Sequence, residues 1–336
     1  MVQARIPGAI LTAERDHGRQ ASLVFYSCIF EEQASEMLGI TKHLNRTYSG
    51  LYLHPKQFHP TVACAPKKAH PVCKLLMHSR FQAIATMNED VGERISKQIE
   101  KPVIVFPEIT DERHRPDHPL KHRLRKFAGS NHLVVLAGYL GSWKGAPLLA
   151  RVSLMPEAAD LCFAFVGLLP LETYSTDDRK ILEQCMNHSF NALFHLERVP
   201  DGECYNALVD TANVVFCAFE NFRFSSNTLT KAAIFERPVI VSEGHLMAKR
   251  VRDYRLGEII SQSDPSAALA AIRKITNSYS RWLIEKRPRW KEYREAHSHQ
   301  ALEIAFKKLF VAVDVLPDSR SPSSTGRPLS ERLEHF

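Results

Sequence analysis

Residues 133–145, LVVLAGYLGSWKG, decide how this chain folds. Positions 133–137 are apolar without alternation, the pattern of a strand covered on both faces. The run stops at Gly138, and Gly141, Lys144 and Gly145 follow before apolar residues resume at helical spacing over 146–155. A glycine-rich turn between a buried strand and a helix lets backbone N–H groups come close to an anion. A lysine in that turn adds a point charge for the same anion. The Walker A pattern GxxxxGK[ST] is not matched.

Outward from this stretch the same unit repeats. Downstream strands are expected at 161–167 (LCFAFVG), 192–195, 212–218 (ANVVFCA) and 238–242 (PVIVS). Helices are expected between and after them, at 176–190, 202–211, 227–235, 247–254 and 264–277. Upstream the theme is weaker, with strands at 23–30, 51–54, 82–87 and 102–106 and helices at 31–44, 71–78 and 89–98. No glycine-rich strand–turn–helix precedes residue 20. The expected class is α/β, with two Rossmann-like doubly wound domains of which the N-terminal one is incomplete. The expected layout is a shortened domain over 1–106 and a second domain over 131–278. Pro107, Pro116 and Pro119 break up 107–130, which reads as a solvated basic interdomain linker. The Pro/Ser/Arg-rich segment 316–336 reads as a disordered tail.

The chain has 336 residues, 44% of them apolar, ample for buried cores, and a net charge of +7. Lys and Arg exceed Asp and Glu in both flanks, while the middle is slightly acidic, so anionic partners are favoured. Seven cysteines occur singly, with no CxxC pair, which argues against a disulfide framework or a zinc ribbon. His114, His118 and His122 have helical spacing for a metal, but the prolines among them argue for a basic linker instead. No basic-then-apolar leader opens the chain, and the longest apolar run, 161–171, is short of the roughly 20 residues a spanning helix needs. The expected location is cytoplasmic. The basic and aromatic stretches LKHRLRKF (120–127) and RWLIEKRPRWKEYR (281–294) offer peripheral contact with an anionic membrane at its inner face as an alternative to burial. No nucleic-acid-binding module accompanies them, so no nucleic-acid partner is expected.

A second turn, RFSSNTLTK over 223–231, leads from the strand at 212–218 into a helix. Ser226 or Asn227 is suited to cap that helix, whose N-terminus would attract an anion. Lys231 lies one turn inside. Both turns follow strands, so both fall at the carboxyl edge of one parallel sheet, where open α/β sheets bind ligands.

The order GYLGSWKG, LCFAFVG, ALFHLERVPDGECYNALVDTANVVFCAF, SSNTLTKAAIFERPVIVS, YRLGEIISQSDPSAALAAIRKI resembles the nucleotide-sugar domain of GT-B glycosyltransferases, and most of all the retaining family four. The resemblance covers about 81–275 well and 20–80 loosely. It implies a hexosyltransferase-type enzyme of polysaccharide biosynthesis, moving a sugar from a nucleotide-sugar donor to a glycan or lipid-linked acceptor. It implies C-terminal helices over 279–315 that pack back toward the first domain, with Trp282, Trp290 and Tyr293 as buried anchors. It implies a donor site at Gly138, Gly141, Lys144, Ser225, Ser226, Asn227 and Thr228, with Lys144 and Lys231 as cationic groups on the leaving diphosphate. No metal or other cofactor is expected, because cationic side chains and a helix dipole would serve in its place. His54, at the end of the expected strand 51–54, is the candidate sugar or acceptor contact. The chain departs from the family in three places. Tyr139 stands where an arginine is usual. Arg223 and Lys231 stand where the two-glutamate motif would fall, and Glu220 is the candidate substitute carboxylate. The alternatives are a non-catalytic or degenerate nucleotide-binding protein and a sugar-nucleotide epimerase. An NAD-dependent oxidoreductase is disfavoured because no GxGxxG follows the first strand.

Overall fold

The computed structural model describes residues 2–59 and 69–315; Cys64 and the 316–336 segment read as a disordered tail lie outside the described residues. The chain divides into two compact units, one of Met1–Phe106 with Glu303–Phe336 and one of Pro107–Leu302.

The first unit runs α1 (Val2–His17), β1 (Val24–Ile29), α2 (Ala34–His43), β2 (Tyr48–Tyr52), α3 (Pro71–Met77), β3 (Phe81–Thr86), α4 (Glu89–Ile99), β4 (Val103–Val105). The four strands are parallel and lie in chain order, β1-β2-β3-β4. α4 illustrates why these segments fold as they do. Asn88 caps its N-terminus by accepting from Asp90 N–H at 3.0 Å, and Val91, Ile95 and Ile99 recur every four residues on the buried face. Tyr26, Tyr48, Phe58, Phe81 and Ile84 complete a core of its own. β2 ends at Tyr52, so His54 stands two residues beyond the strand rather than at its end.

The second unit continues with α5 (Pro119–Ala128), β5 (His132–Ala137), α6 (Ala146–Ser153), β6 (Leu161–Val166), α7 (Thr176–His188), β7 (Ala192–His195), α8 (Glu203–Thr211), β8 (Val214–Cys217), α9 (Asn227–Ile234), β9 (Val239–Ser242), α10 (Leu246–Tyr254), β10 (Gly257–Ile260), α11 (Pro265–Thr276), α12 (Tyr279–Lys286) and α13 (Trp290–Ala296). Six parallel strands form one sheet in the order β10-β9-β8-β5-β6-β7. β5, β6, β8 and β9 are buried almost throughout, which is why their sequences do not alternate. From β5 the chain builds outward through β6 and β7, then returns and builds the other way through β8, β9 and β10. The order therefore reverses between β5 and β8.

Two expectations need correction, and one strand goes beyond them. Residues 107–130 are not a free linker. Pro119 occupies the first position of α5, where its missing N–H costs nothing, and the His118 ring caps the helix by accepting from Leu120 N–H at 3.2 Å. Leu120, Leu124 and Ala128 are buried in the second unit's core, so the apolar face of the basic stretch 120–127 is already covered. The segment before α5 is also held: Glu108 Oε2 accepts from Arg250 at 3.2 Å, and its N–H donates to His297 Nδ1 at 3.1 Å. The C-terminal helices, expected to pack together toward the first domain, divide. Trp282, Trp290 and Tyr293 of α12 and α13 are buried in the second unit. α14 (His299–Ala312) belongs from Glu303 onward to the first unit, where Phe306 lies 5.4 Å from Phe25 and 4.7 Å from Phe106 between ring centres. The strand β10 was not anticipated, because four residues beginning with glycine give no periodic signal.

Candidate functional site

The reversal between β5 and β8 sends the loops that follow these two strands in opposite directions, and the crevice this opens is where doubly wound sheets take ligands. The loops are 138–145, the first turn singled out by its residues, and 218–226, which runs into the second, 223–231. They are built on each other. Glu220 N–H donates to Trp143 O at 2.8 Å. Gly145 has φ +77° and lies so close to the second loop that a Cβ there would be 2.3 Å from Ala218 O. On the other side, a Cβ on Gly167 at the end of β6 would lie 1.8 Å from Gly138 O, at φ +129°. Only glycine fits either place. The Tyr174 hydroxyl holds the first turn from behind, donating to the carbonyls of Leu140 at 2.5 Å and Gly141 at 3.1 Å.

Lys144 is the centre of this arrangement. It is 7% exposed, and its Nζ donates to Ala137 O only at 3.5 Å. The Phe219 ring centre lies 4.0 Å from the ammonium. No carboxylate pairs with it among the described residues. Burial pulls its pKa down from 10.5 to about 8, opposed weakly by nearby Cys217. Cys217, at the end of β8, is pushed up to about 12 by its own burial. A buried cation with one long hydrogen bond, at the edge where doubly wound sheets take ligands, is suited to an anion's oxygens.

Tyr205 of α8 joins the two turns. Its hydroxyl is 3.0 Å from Thr228 Oγ1 in the first turn of α9 and stands against Gly138, beside Lys144. Ser226 precedes α9 in extended conformation and makes no side-chain cap bond, so its hydroxyl is not used by the helix. The first N–H groups of α9, from Asn227 and Thr228, have no carbonyl within the helix to meet. Ser225 lies half-buried in the same loop, and Gly141 is buried in the first turn. Ser242 Oγ, buried at the carboxyl end of neighbouring β9, has no hydrogen-bond partner among the described residues. Tyr139 and Trp143 stay 52% and 38% exposed at the rim, with Trp143 stacked on Phe222 at 4.9 Å.

Other expected site residues are engaged differently. Lys231 is 1% exposed, and its ammonium meets Asn206 Oδ1 at 2.8 Å, Asp201 at 3.0 Å and Asp111 O at 3.2 Å. It holds the 109–113 segment onto α8 and α9 rather than facing an open anion site. The Asn227 side chain does the same, accepting from Thr110 Oγ1 at 2.9 Å and donating to Ile109 O at 3.4 Å. Glu220 accepts from Ser263 Oγ at 2.9 Å. Arg223, at the other missing glutamate position, adds to the burial that depresses His245. His54 belongs to the first unit, 5.9 Å from the Phe30 ring between centres, and burial followed by the Lys56 charge pushes its pKa down. Tyr205 and Tyr174 were missed by sequence reading. Tyr174 lies in no quoted motif and Tyr205 is one position of a long quoted stretch, 192–219, and only folding brings them to the turns. Among the described residues, no group of three or more His, Cys, Asp or Glu side chains is arranged to hold a metal, and no helix is long and apolar enough to cross a membrane.

No family model matches the chain, and no curated protein sequence matches it significantly. Solved structures do. A sucrose-phosphate synthase from Thermosynechococcus elongatus superposes with TM-score 0.69 at 15% identity, covering 94% of this chain and 79% of that one. A trehalose-6-phosphate synthase, OtsA, gives 0.67 at 10% identity over 90% and 76%. WaaG, a glycosyltransferase involved in lipopolysaccharide biosynthesis, gives 0.56 at 14% identity over 83% and 80%. The fold is that of the GT-B glycosyltransferases. At such identities the likeness is one of fold, and the chemistry has to be argued from the site.

Proposed function

We propose that this protein is a glycosyltransferase that takes a nucleotide-sugar donor in its second unit. The observation that carries the reading is Lys144, a buried ammonium with no carboxylate partner among the described residues, at the point where the sheet order reverses. A diphosphate supplies the missing charge. Its oxygens would accept from Lys144 Nζ, from the free N–H groups that open α9 and from the hydroxyls of Ser225, Ser226 and Thr228. Gly138 and Gly141 keep the first turn low enough for the phosphates to approach. These donors stand ready before the reaction, and their hold strengthens as the sugar–phosphate bond breaks and charge builds on the leaving group. Charge stabilisation of this kind needs no metal. Lys231 acts as a positioning residue for α8 and α9, and His54 remains the candidate contact on the acceptor side.

Solved structures of the same fold carry names for making sucrose phosphate, trehalose phosphate and lipopolysaccharide, which supports transfer to a sugar-containing acceptor, a glycan or a lipid-linked precursor. A second reading has its own observation. Arg223 and Lys231 replace the two glutamates, and Glu220 is engaged by Ser263, so a protein that binds a nucleotide without turnover fits as well.

Calorimetric titration with UDP and GDP tests the shared step. One of them should bind, and Lys144→Met should weaken it about ten- to a hundred-fold, as loss of one charge-assisted hydrogen bond does. Binding of neither, or equal binding by the variant, overturns the donor site. Release of sugar from the matching nucleotide-sugar then separates the transferase from the binding protein.

A further inference from the structure

On another face of the second unit, His118 Nε2 lies 3.1 Å from Cys204 Sγ. Both line an open cavity of about 360 Å³. The capping role of His118 decides its tautomer. Nδ1 accepts from Leu120 N–H at 3.2 Å, so the neutral ring carries its proton on Nε2 and donates it to the sulfur. A donor held against a half-buried sulfur is the arrangement that thiolate chemistry uses.

The surroundings select a partner. Arg123, His195 and Arg198 line the same cavity, with Leu120, Val199 and Pro200 supplying apolar wall. Arg123 Nη1 donates to His195 Nδ1 at 3.2 Å, which places the guanidinium at the cavity. Glu197 is the one carboxylate in the lining, so the cavity is net cationic. Among the described thiols, Cys28 and Cys204 are half-buried and the other four are buried.

We propose that Cys204 is a thiol–disulfide exchange site for small anionic disulfides, with His118 as its positioning donor. Cys204 loses its proton to water, and the thiolate attacks one sulfur of the disulfide. A Cys204 S–S bond forms, the reagent's own S–S bond breaks, and the departing thiolate takes up a proton from water. The disulfide is the oxidant, reduced to one free thiol for each mixed disulfide made.

The full-length protein is treated with glutathione disulfide, which is anionic, or cystamine, which is cationic, and each thiol is followed by peptide mass spectrometry. Cys204 should react with glutathione disulfide at least about ten times faster than Cys28. Its preference for the anionic reagent should exceed the preference seen at Cys28, and Arg123→Ala with Arg198→Ala should bring the two into line. His118→Asn keeps a capping oxygen for α5 but removes the Nε2 donor, and should slow Cys204 at least about five-fold without lowering the melting temperature. Cys204 no faster than Cys28, an unchanged rate in His118→Asn, or the same charge preference at both thiols would overturn the proposal.

Discussion

At neutral pH the Lys144 ammonium is held where water cannot solvate it, and the fold bears that cost. A pKa moved from 10.5 to about 8 corresponds to roughly 3 kcal/mol of destabilised charge. The sign follows from proton counting. Between about pH 8 and 10.5 the unfolded chain keeps a proton on Lys144 that the folded chain has released, so stability rises with pH across that window. Denaturant melts at pH 7, 8, 9 and 10 should show this rise in the wild type and not in Lys144→Met, which should also be the more stable protein at pH 7. Anion binding runs the other way and should weaken above about pH 8, as the ammonium needed for it is lost. A wild type and variant with parallel pH profiles would show that Lys144 is not the titrating group. The residues of this centre were partly legible. Lys144 and its glycines stand in one short turn, and Ser225, Ser226, Asn227 and Thr228 in another. Lys231 was misread because spacing within a helix does not say which carbonyls and carboxylates from α8 and the 109–113 segment will surround an ammonium.

Strands and helices followed the periodicity closely where burial was complete. β5, β6, β8 and β9 are uninterrupted apolar runs because helices cover both faces of the sheet. α5 failed for a reason in the same chemistry: a proline that breaks a helix interior also opens a helix when it falls at the first position. The turn between β5 and α6 tolerates little change. Gly145→Ala adds a Cβ 2.3 Å from Ala218 O at a positive φ. Such a substitution should cost about 2–4 kcal/mol and weaken nucleotide binding together with stability. Urea melts and calorimetry on the variant check both, and a loss under about 0.5 kcal/mol would mean that the two loops are not packed as described.

Each of the two units has an apolar core of its own, one around Tyr48, Phe81 and Ile84 and one around β5, β6 and β8. Independent cores predict two steps in scanning calorimetry. Nucleotide at a hundred times its Kd should delay the step belonging to Pro107–Leu302 by about 2.7 kcal/mol and leave the other in place. A single transition moved as a whole by nucleotide would contradict this. By itself the sequence determined the α/β class, the succession of most strands along the chain and the two turns proposed to hold the donor, because burial on both faces and turn geometry are written in local composition. Only the tertiary structure decided that the strand order reverses between β5 and β8, that Tyr205 and Tyr174 meet the turns, and that Lys231 is paired with Asp201 while Lys144, among the described residues, pairs with no carboxylate. Those outcomes depend on which distant groups meet, and a local pattern of residues carries no record of its distant neighbours.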